Sequence, residues 1–322
     1  MTSPLERIRA NGGAISVARL HADGVTAADL RASARDGHVV RVRPGWVAIP
    51  DAPPEVIHAV RVGGALTGNS VAQLHGLWLL DDDRLHVRVP PTASRLRSPS
   101  DRTVPLDARA HGVCVHYRAV AGKDERGIRP ACDGLITAIA EMFQCAGAVP
   151  AMVALESALN RGALPMQAVE RLRLALPAWV GRWLDEVSCD SDSGLETIAR
   201  MLMRRLRVGV RAQVEIPGVR RVDLLVGDRL VVELDGRAFH SGDDFDRDRR
   251  QDLELALRGY LVVRISYRMV IEDWDITHRS LRELVSRGLH RFGRTGRLLQ
   301  PFGAPNAPRA SSDAGDEARS PL

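Results

Sequence analysis

The most constraining feature of the sequence is the segment 222–236, VDLLVGDRLVVELDG, in which two runs of branched apolar residues flank a Gly-Asp pair. This pattern predicts two short strands joined by a hairpin, because Gly-Asp favours a tight turn. Three carboxylates, Asp223, Glu233 and Asp235, interrupt the apolar runs. The hairpin can bring Asp223 beside Glu233, and the alternation of side chains along a strand sets Glu233 and Asp235 on one face.

Three converging carboxylates repel one another and need a compensating cation. Hard divalent ions take oxygen ligands, so the segment predicts a site for Mg²⁺ or Mn²⁺ with Asp223, Glu233 and Asp235 as its ligands. The same spacing also suits a hairpin with a solvated acidic face. Spacing alone leaves both interpretations open.

The flanking segments extend this pattern in both directions. Upstream, Ser193 and Glu196 open a helical run in a capping-box arrangement. Downstream come His240, a charged helix at 246–257 and an apolar strand at 259–265. Most charges of the downstream helix are expected to form a solvated face.

This order of a Glu helix, an Asp strand, an ExD strand, a histidine, a helix and a Gly-Tyr-x-x-x-Arg strand resembles a known family. It is similar to the domain of unknown function related to very-short-patch-repair (Vsr) endonucleases, in the PD-(D/E)XK nuclease superfamily. The resemblance covers residues 190–291 and implies metal-dependent hydrolysis of DNA phosphodiesters. The catalytic residues that it implies are Glu196, Asp223, Glu233, Asp235 and His240.

Three of the implied roles have alternatives. The lysine position of the superfamily falls at Asp235, and the sole lysine of the chain, Lys123, lies outside the region. Asp235 is therefore either a metal ligand or a replacement for a catalytic lysine that this chain has lost. His240 is either a proton carrier near neutral pH or a surface histidine. Arg264 is expected to be structural or to pair with a site carboxylate.

The first 50 residues show the order helix, turn, helix and two-stranded wing. Thr26 is a predicted N-cap for a helix at 27–35, and segments 39–43 and 46–49 alternate as strands. A winged helix of this kind would set its second helix in the major groove of DNA, with wing arginines on phosphates. The residues expected to contact DNA are Arg31, Arg35, Arg41 and Arg43. A winged helix that mediates only protein contacts is the alternative.

The glycines and the wing of this segment, including Arg41-Val42-Arg43-Pro44-Gly45-Trp46, resemble the N-terminal domain of AbiEi-type antitoxins. Those proteins are winged-helix regulators of type IV toxin–antitoxin systems. Segment 68–77 also resembles the helix that follows this winged helix. Two functions therefore stay open: a metal-dependent endonuclease with an attached DNA-binding module, and a non-catalytic DNA-binding regulator whose nuclease fold is degenerate.

The 322-residue chain is long enough for more than one core. The patterns predict an α/β (α+β) chain with a winged-helix domain at 1–62 and a mixed α/β middle domain at 63–180. A restriction-endonuclease-like mixed sheet flanked by helices follows at 190–291. A tail at 292–322, rich in Pro, Gly, Ala and Ser, is expected to be disordered. Segment 177–191 is expected to be a connector.

Composition limits the partners. The net charge of +5 permits nucleic-acid binding without requiring it. No run approaches the roughly 20 apolar residues of a membrane span, and charged residues break any N-terminal signal core, so we expect a cytoplasmic protein without membrane contact. Homo-oligomerisation is left open.

The cysteines and histidines show no metal-binding pattern in the sequence. The four cysteines are scattered, without a CxxC pair, and favour neither a zinc site nor a disulfide framework. The spacing of four histidines of the middle domain fits no ligand motif. Those histidines are His75, His86, His111 and His116.

Overall fold

The computed structural model describes residues 3–80, 82–118, 130–189, 193–235 and 243–293, with the backbone alone for 243–248. It divides into two compact units, Met1–Arg205 and Leu206–Leu322. Both units combine helices with a sheet, which confirms the predicted α+β class. His240 and residues 294–322 of the predicted tail lie outside the described residues.

The first unit contains the elements that precede residue 205. Its helices are α1 Pro4–Ala10, α2 Val17–Ala22, α3 Ala27–Arg35, α4 Pro54–Val62, α5 Gly68–Leu74, α6 Leu135–Cys145, α7 Ala148–Asn160, α8 Gln167–Ala175, α9 Ala178–Leu184 and α10 Gly194–Met203. Its strands are β1 Ala14–Ser16, β2 Val40–Arg43, β3 Trp46–Ala48, β4 Ala65–Leu66, β5 Leu85–Val89 and β6 Val113–Tyr117.

The N-terminal elements follow the predicted order of helices and a two-stranded hairpin. Helix α3 has the predicted bounds, and Thr26 caps it in a reciprocal capping box with Asp29, which satisfies otherwise unpaired N–H groups of the first turn. Strands β2 and β3 form a hairpin, and β1 pairs with β3 to complete an antiparallel three-stranded sheet. Ile8, Leu20 and Val42 are buried in the core of the first unit.

The second sheet of the first unit has the order β4-β5-β6, with β5 and β6 parallel. Helices α6 and α7 bury apolar side chains such as Phe143 and Leu155 in the same core. The segment predicted as a connector at 177–191 contains helix α9 instead. Its Val180 and Leu184 are buried, because the apolar residues of this short helix lie four apart on one face.

A buried polar network attaches α10 to the first unit. Arg200 of α10 forms an ion pair with Glu156 of α7, and Thr197 Oγ1 donates a 2.7 Å hydrogen bond to Glu156 Oε2. The main-chain N–H of Ser188 donates to the other oxygen of Glu156 at 3.0 Å. Glu156 is 1% exposed, and these partners provide the hydrogen bonds that a buried charge requires. Helix α10 therefore belongs to the first unit, although the sequence resemblance groups it with the nuclease-like segment.

The second unit is one four-stranded sheet with helices. Its strands are β7 Val210–Ile216, β8 Arg220–Val226, β9 Leu230–Asp235 and β10 Leu261–Ser266, and its helices are α11 Asp243–Leu257, α12 Tyr267–Ile271 and α13 Trp274–Ser286. A 3-10 turn, Arg204–Leu206, crosses the division between the units.

The sheet of the second unit has the order β10-β9-β8-β7. Strands β7, β8 and β9 are antiparallel neighbours, and β10 returns parallel to β9 after α11. The predicted hairpin is confirmed, with Leu224 opposite Val232 and Val226 opposite Leu230. Val222, Leu225, Val231 and Leu255 form part of its apolar core. No helix among the described residues is long and apolar enough to cross a membrane.

Candidate functional site

The carboxylates of the hairpin lie on two neighbouring strands. Asp223 is on β8, and Glu233 and Asp235 are on β9. The register that pairs Leu224 with Val232 sets Asp223 opposite Glu233 one position further on. The main-chain N–H of Leu234 donates a 2.8 Å hydrogen bond to Asp223 Oδ2, so the Asp223 carboxylate is held against β9.

Burial and mutual repulsion disfavour the ionised forms of these two carboxylates. Glu233 is 6% exposed, and its burial, together with the neighbouring charge of Asp223, raises the pKa of Glu233 to about 7. Burial also raises the pKa of Asp223, against the opposing effects of the Leu234 hydrogen bond and Arg220. Two coupled carboxylates of this kind are frequent at functional sites.

Two arginines and a helix aspartate surround the carboxylates. Arg220 Nη2 lies 3.2 Å from Glu233 Oε1 and 2.8 Å from Asp252 Oδ1 of α11. Arg264 of β10 donates from Nη1 to Asp235 Oδ1 at 2.8 Å and from Nε to Asp252 Oδ2 at 3.0 Å. Of the two roles left open for Arg264, the structure shows pairing with the Asp235 carboxylate. Asp252 bridges the two arginines, so it does not belong to the solvated face expected for α11.

One oxygen of the pair accepts no hydrogen bond from the residues that the structure describes. Glu233 Oε1 is 3.2 Å from Arg220 Nη2 in an ion pair, but no described residue donates a hydrogen bond to it, and Arg220 Nη2 donates to Asp252. A buried oxygen without a donor is costly unless a cation binds it. The carboxylates of Asp223 and Glu233 are of the chemical type that Mg²⁺ and Mn²⁺ prefer, and the pair fits such an ion. Asp235, by contrast, is half-exposed and already bound to Arg264.

Gln213 of β7 adopts an unusual backbone conformation beside the pair. It lies opposite Asp223, between the paired positions Ala212–Leu224 and Val214–Val222. Its φ of 51° falls in the left-handed region, which is uncommon for a residue other than glycine. Its side chain hydrogen-bonds the Asp223 carboxylate and opposes the rise in pKa. Local strain of this kind is characteristic of functional positions.

The two remaining residues predicted for catalysis are Glu196 and His240, and the structure describes only Glu196. Glu196 is buried in α10 of the first unit, and its Oε1 accepts a 2.9 Å hydrogen bond from Ser193 Oγ. The predicted cap of this helix is present, since Ser193 Oγ also accepts from the N–H of Glu196. His240 lies outside the described residues.

The predicted DNA-contacting arginines of the first unit are not equivalent. Arg31 and Arg35 of α3 and Arg41 of β2 are exposed. Arg43 is only partly exposed, and its Nη1 donates a 3.1 Å hydrogen bond to the carbonyl of Val60 at the end of α4. Arg43 therefore makes an intramolecular contact, whereas Arg31, Arg35 and Arg41 lie on the exposed surface.

The first unit also assembles a group that the sequence spacing did not indicate. The ligand atoms of His86, Cys114 and His116 lie within 4.8 Å of one another. Among the described residues, these three form the group of His, Cys, Asp and Glu side chains that could hold a metal ion. Of the other two histidines considered, His75 is exposed after α5 and His111 accepts a hydrogen bond from the N–H of Asp107. The group joins two strands whose residues are distant in sequence, so no short spacing motif marks it.

No family model matches the chain, and no curated protein matches its sequence. Among solved structures, the chain has similarity to the catalytic domain of the homing endonuclease I-Bth0305I, with 19% sequence identity and a TM-score of 0.26. That similarity covers 29% of this chain and 94% of the other.

Proposed function

We propose that this protein is a metal-dependent DNA endonuclease with an attached DNA-binding module. The observation that carries the proposal is the pair of the partly buried Asp223 and the buried Glu233. Burial raises the pKa of both carboxyl groups, and no described residue donates a hydrogen bond to Glu233 Oε1. Asp223 and Glu233 would hold Mg²⁺ or Mn²⁺. Bound there, the ion would supply an activated water and neutralise charge on the phosphate under attack.

The side chains around the pair have roles of their own. Leu234 N–H and Gln213 hold the Asp223 carboxylate in place. Arg264 keeps a positive charge at the more exposed end of the site, bound to Asp235, where a phosphate would approach. In this proposal, Arg264 supplies the charge that a lysine supplies in the PD-(D/E)XK superfamily, and Asp235 positions it. Proton transfer by His240 and support of the ion by Glu196 stay predictions.

DNA binding by the N-terminal elements is part of the proposal. The exposed arginines Arg31, Arg35 and Arg41 lie on helix α3 and on the wing strand β2. Arginine side chains in these positions can bind phosphates and hold the duplex in register. Through them the first unit would recruit DNA for cleavage.

A second function is favoured by the ion pairs themselves. Arg220 and Arg264 form ion pairs with Glu233, Asp235 and Asp252, which offset part of the negative charge of the site. A nuclease fold stabilised in this way can act as a non-catalytic DNA-binding domain, as a regulator resembling AbiEi-type antitoxins would require. This alternative makes the wing arginines important and the carboxylate pair unimportant for function.

Nicking of supercoiled plasmid by the purified full chain separates the two functions. We expect nicking with Mg²⁺ or Mn²⁺ and none with a chelator. Asp223→Asn and Glu233→Gln should each lower nicking by at least 100-fold, which is on the order of the effect of removing a stabilising group from a catalytic site. Glu215→Gln is the matched control, because it makes the same charge change at an exposed position of β7.

Calorimetry with Mg²⁺ and Mn²⁺ provides an independent reading of the same site. The wild type should bind one ion, and Glu233→Gln should not. A wild type that nicks no plasmid and binds neither ion at millimolar concentration, while still binding duplex DNA, would reject the nuclease proposal and support the regulator.

A further inference from the structure

His86, Cys114 and His116 meet on one face of the second sheet of the first unit. Strands β5 and β6 are parallel, and their register sets His86 beside Cys114. Cys114 and His116 are two residues apart on β6, so their side chains point to the same face. The three ligand atoms lie within 4.8 Å of one another. His86 and His116 are buried and Cys114 is partly buried.

The outer nitrogen of His86 faces a carboxylate. His86 Nε2 lies 2.9 Å from Asp82 Oδ2. Arg84 donates to both oxygens of Asp82, at 2.8 Å and 2.9 Å, and an opposite charge at this distance favours the ionised carboxylate. A carboxylate accepts hydrogen bonds and cannot donate them, so the proton of His86 lies on Nε2. Its inner nitrogen, Nδ1, then carries a lone pair.

His116 has the same arrangement on the other side of the group. His116 Nδ1 lies 3.2 Å from Glu141 Oε2 of α6. Arg118 Nε lies 3.0 Å from the same oxygen and favours the ionised carboxylate. The Nδ1 proton of His116 is therefore directed at Glu141. The inner nitrogen of His116 is Nε2, which faces the inner nitrogen of His86.

The two inner nitrogens lie 3.1 Å apart. With both outer nitrogens donating to carboxylates, two lone pairs would face each other in a buried setting. Such an arrangement needs either an additional shared proton or a cation between the nitrogens. Two nitrogens bound to one tetrahedral Zn²⁺ at about 2.0–2.1 Å lie roughly 3.3 Å apart, so a shift of a few tenths of an ångström accommodates the ion. The Cys114 thiol lies within reach of the same point.

We propose that His86 Nδ1, His116 Nε2 and Cys114 Sγ bind a zinc-type divalent ion in the first unit. Asp82 and Glu141 orient the two imidazoles, as carboxylates do around metal-bound histidines. The ligands are two imidazoles and one thiolate, a set that selects Zn²⁺ over Mg²⁺. Binding releases the thiol proton and any proton shared by the histidines. A fourth ligand, such as water, would complete a tetrahedral set.

This site is separate in chemistry from the carboxylate pair of the proposed nuclease. The pair Asp223 and Glu233 offers only oxygen atoms, which suit a hard ion, whereas the histidine–cysteine group offers nitrogen and sulfur. The two proposals can therefore fail independently. Excess Mg²⁺ should leave an ion at the histidine–cysteine group in place, and the Glu233→Gln variant should keep that ion.

Cobalt titration of the chelator-stripped full chain tests the proposal. Co²⁺ is expected to bind once per chain, with a thiolate-to-cobalt charge-transfer absorption in the near ultraviolet, and Zn²⁺ should displace it. Cys114→Ser should abolish that absorption. Cys145→Ser is the matched control and should retain it. Asp82→Asn should keep the absorption and weaken affinity on the order of 10-fold to 100-fold, since it removes the acceptor charge behind His86.

Three results of the cobalt titration would contradict the proposed metal site. No near-ultraviolet absorption in the wild type would mean that a shared proton, not a metal, occupies the group. The same absorption in Cys114→Ser, or its loss in Cys145→Ser, would show that the ligand set is wrong. Circular dichroism of Cys114→Ser should match the wild type without metal, so that loss of absorption reports on the ligand and not on unfolding.

Discussion

The main-chain N–H of Leu234 donates a 2.8 Å hydrogen bond to Oδ2 of Asp223 across the β8–β9 hairpin. The bond holds the Asp223 carboxylate against β9, beside Glu233. Because Glu233 is buried as well, its carboxyl group retains its proton to an unusually high pH. The geometry of the hairpin therefore determines the electrostatics of the candidate site.

The first prediction concerns stability and pH. The folded-state pKa of Glu233 is about 7, against an ordinary value of 4.5. Between these values the folded chain holds a proton that the unfolded chain releases, so the free energy of unfolding falls as pH rises from 4.5 to 7. The difference amounts to about 3 kcal/mol. Glu233→Gln should remove most of this dependence and raise stability at pH 8.

Urea unfolding at a series of pH values, in buffer without divalent ions, measures this effect. Glu215→Gln should leave the pH profile of the wild type unchanged, because Glu215 is exposed. A Glu233→Gln variant that is less stable than wild type at pH 8, with the same slope between pH 5 and 7, would contradict the prediction.

The second prediction concerns Asp235 and Arg264. Asp235→Ala should lower nicking moderately, since Arg264 loses one partner and keeps Asp252. Asp235→Lys should lower nicking further, because it sets a second cation against Arg264. Plasmid nicking at several Mn²⁺ concentrations compares the two variants. A lysine variant more active than the wild type would show that Asp235 marks a lost catalytic lysine.

The third prediction concerns DNA binding by the first unit. Replacing Arg31, Arg35 and Arg41 by alanine should lower affinity for duplex DNA and reduce the salt dependence of binding by about one unit for each phosphate that the protein no longer neutralises. The control is Arg171→Ala, an exposed arginine of α8. Fluorescence anisotropy at a series of salt concentrations measures both quantities. An unchanged salt slope in the triple variant would exclude these arginines from the interface.

The fourth prediction concerns the buried network of the first unit. Glu156→Ala should cost about 3–5 kcal/mol in the free energy of unfolding, because it leaves the buried Arg200 guanidinium without its counter-charge. Glu170→Ala on α8 is the control, since its side chain is 70% exposed. Chemical denaturation of the three proteins gives the difference. A Glu156→Ala variant within about 1 kcal/mol of wild type would show that α10 is not anchored through Glu156.

Local patterns predicted the individual elements well. The cap at Thr26, the bounds of α3 and the turn of the β8–β9 hairpin are properties of a few adjacent residues, and the structure confirms them. The sequence pattern did not predict helix α9, because only two buried apolar residues, Val180 and Leu184, mark its inner face. The division of the chain into domains and the catalytic and DNA-contacting roles stay predictions.

The sequence by itself determined the hairpin, the α+β class and the neighbouring positions of Asp223 and Glu233, because capping, turn formation and strand alternation act over a few residues. Only the tertiary structure decided which charges surround that pair and which side chains meet far along the chain. Arg220 and Asp252 are 32 residues apart, and His86 and His116 are 30 apart. Such contacts depend on strand register and helix packing, which no local spacing encodes.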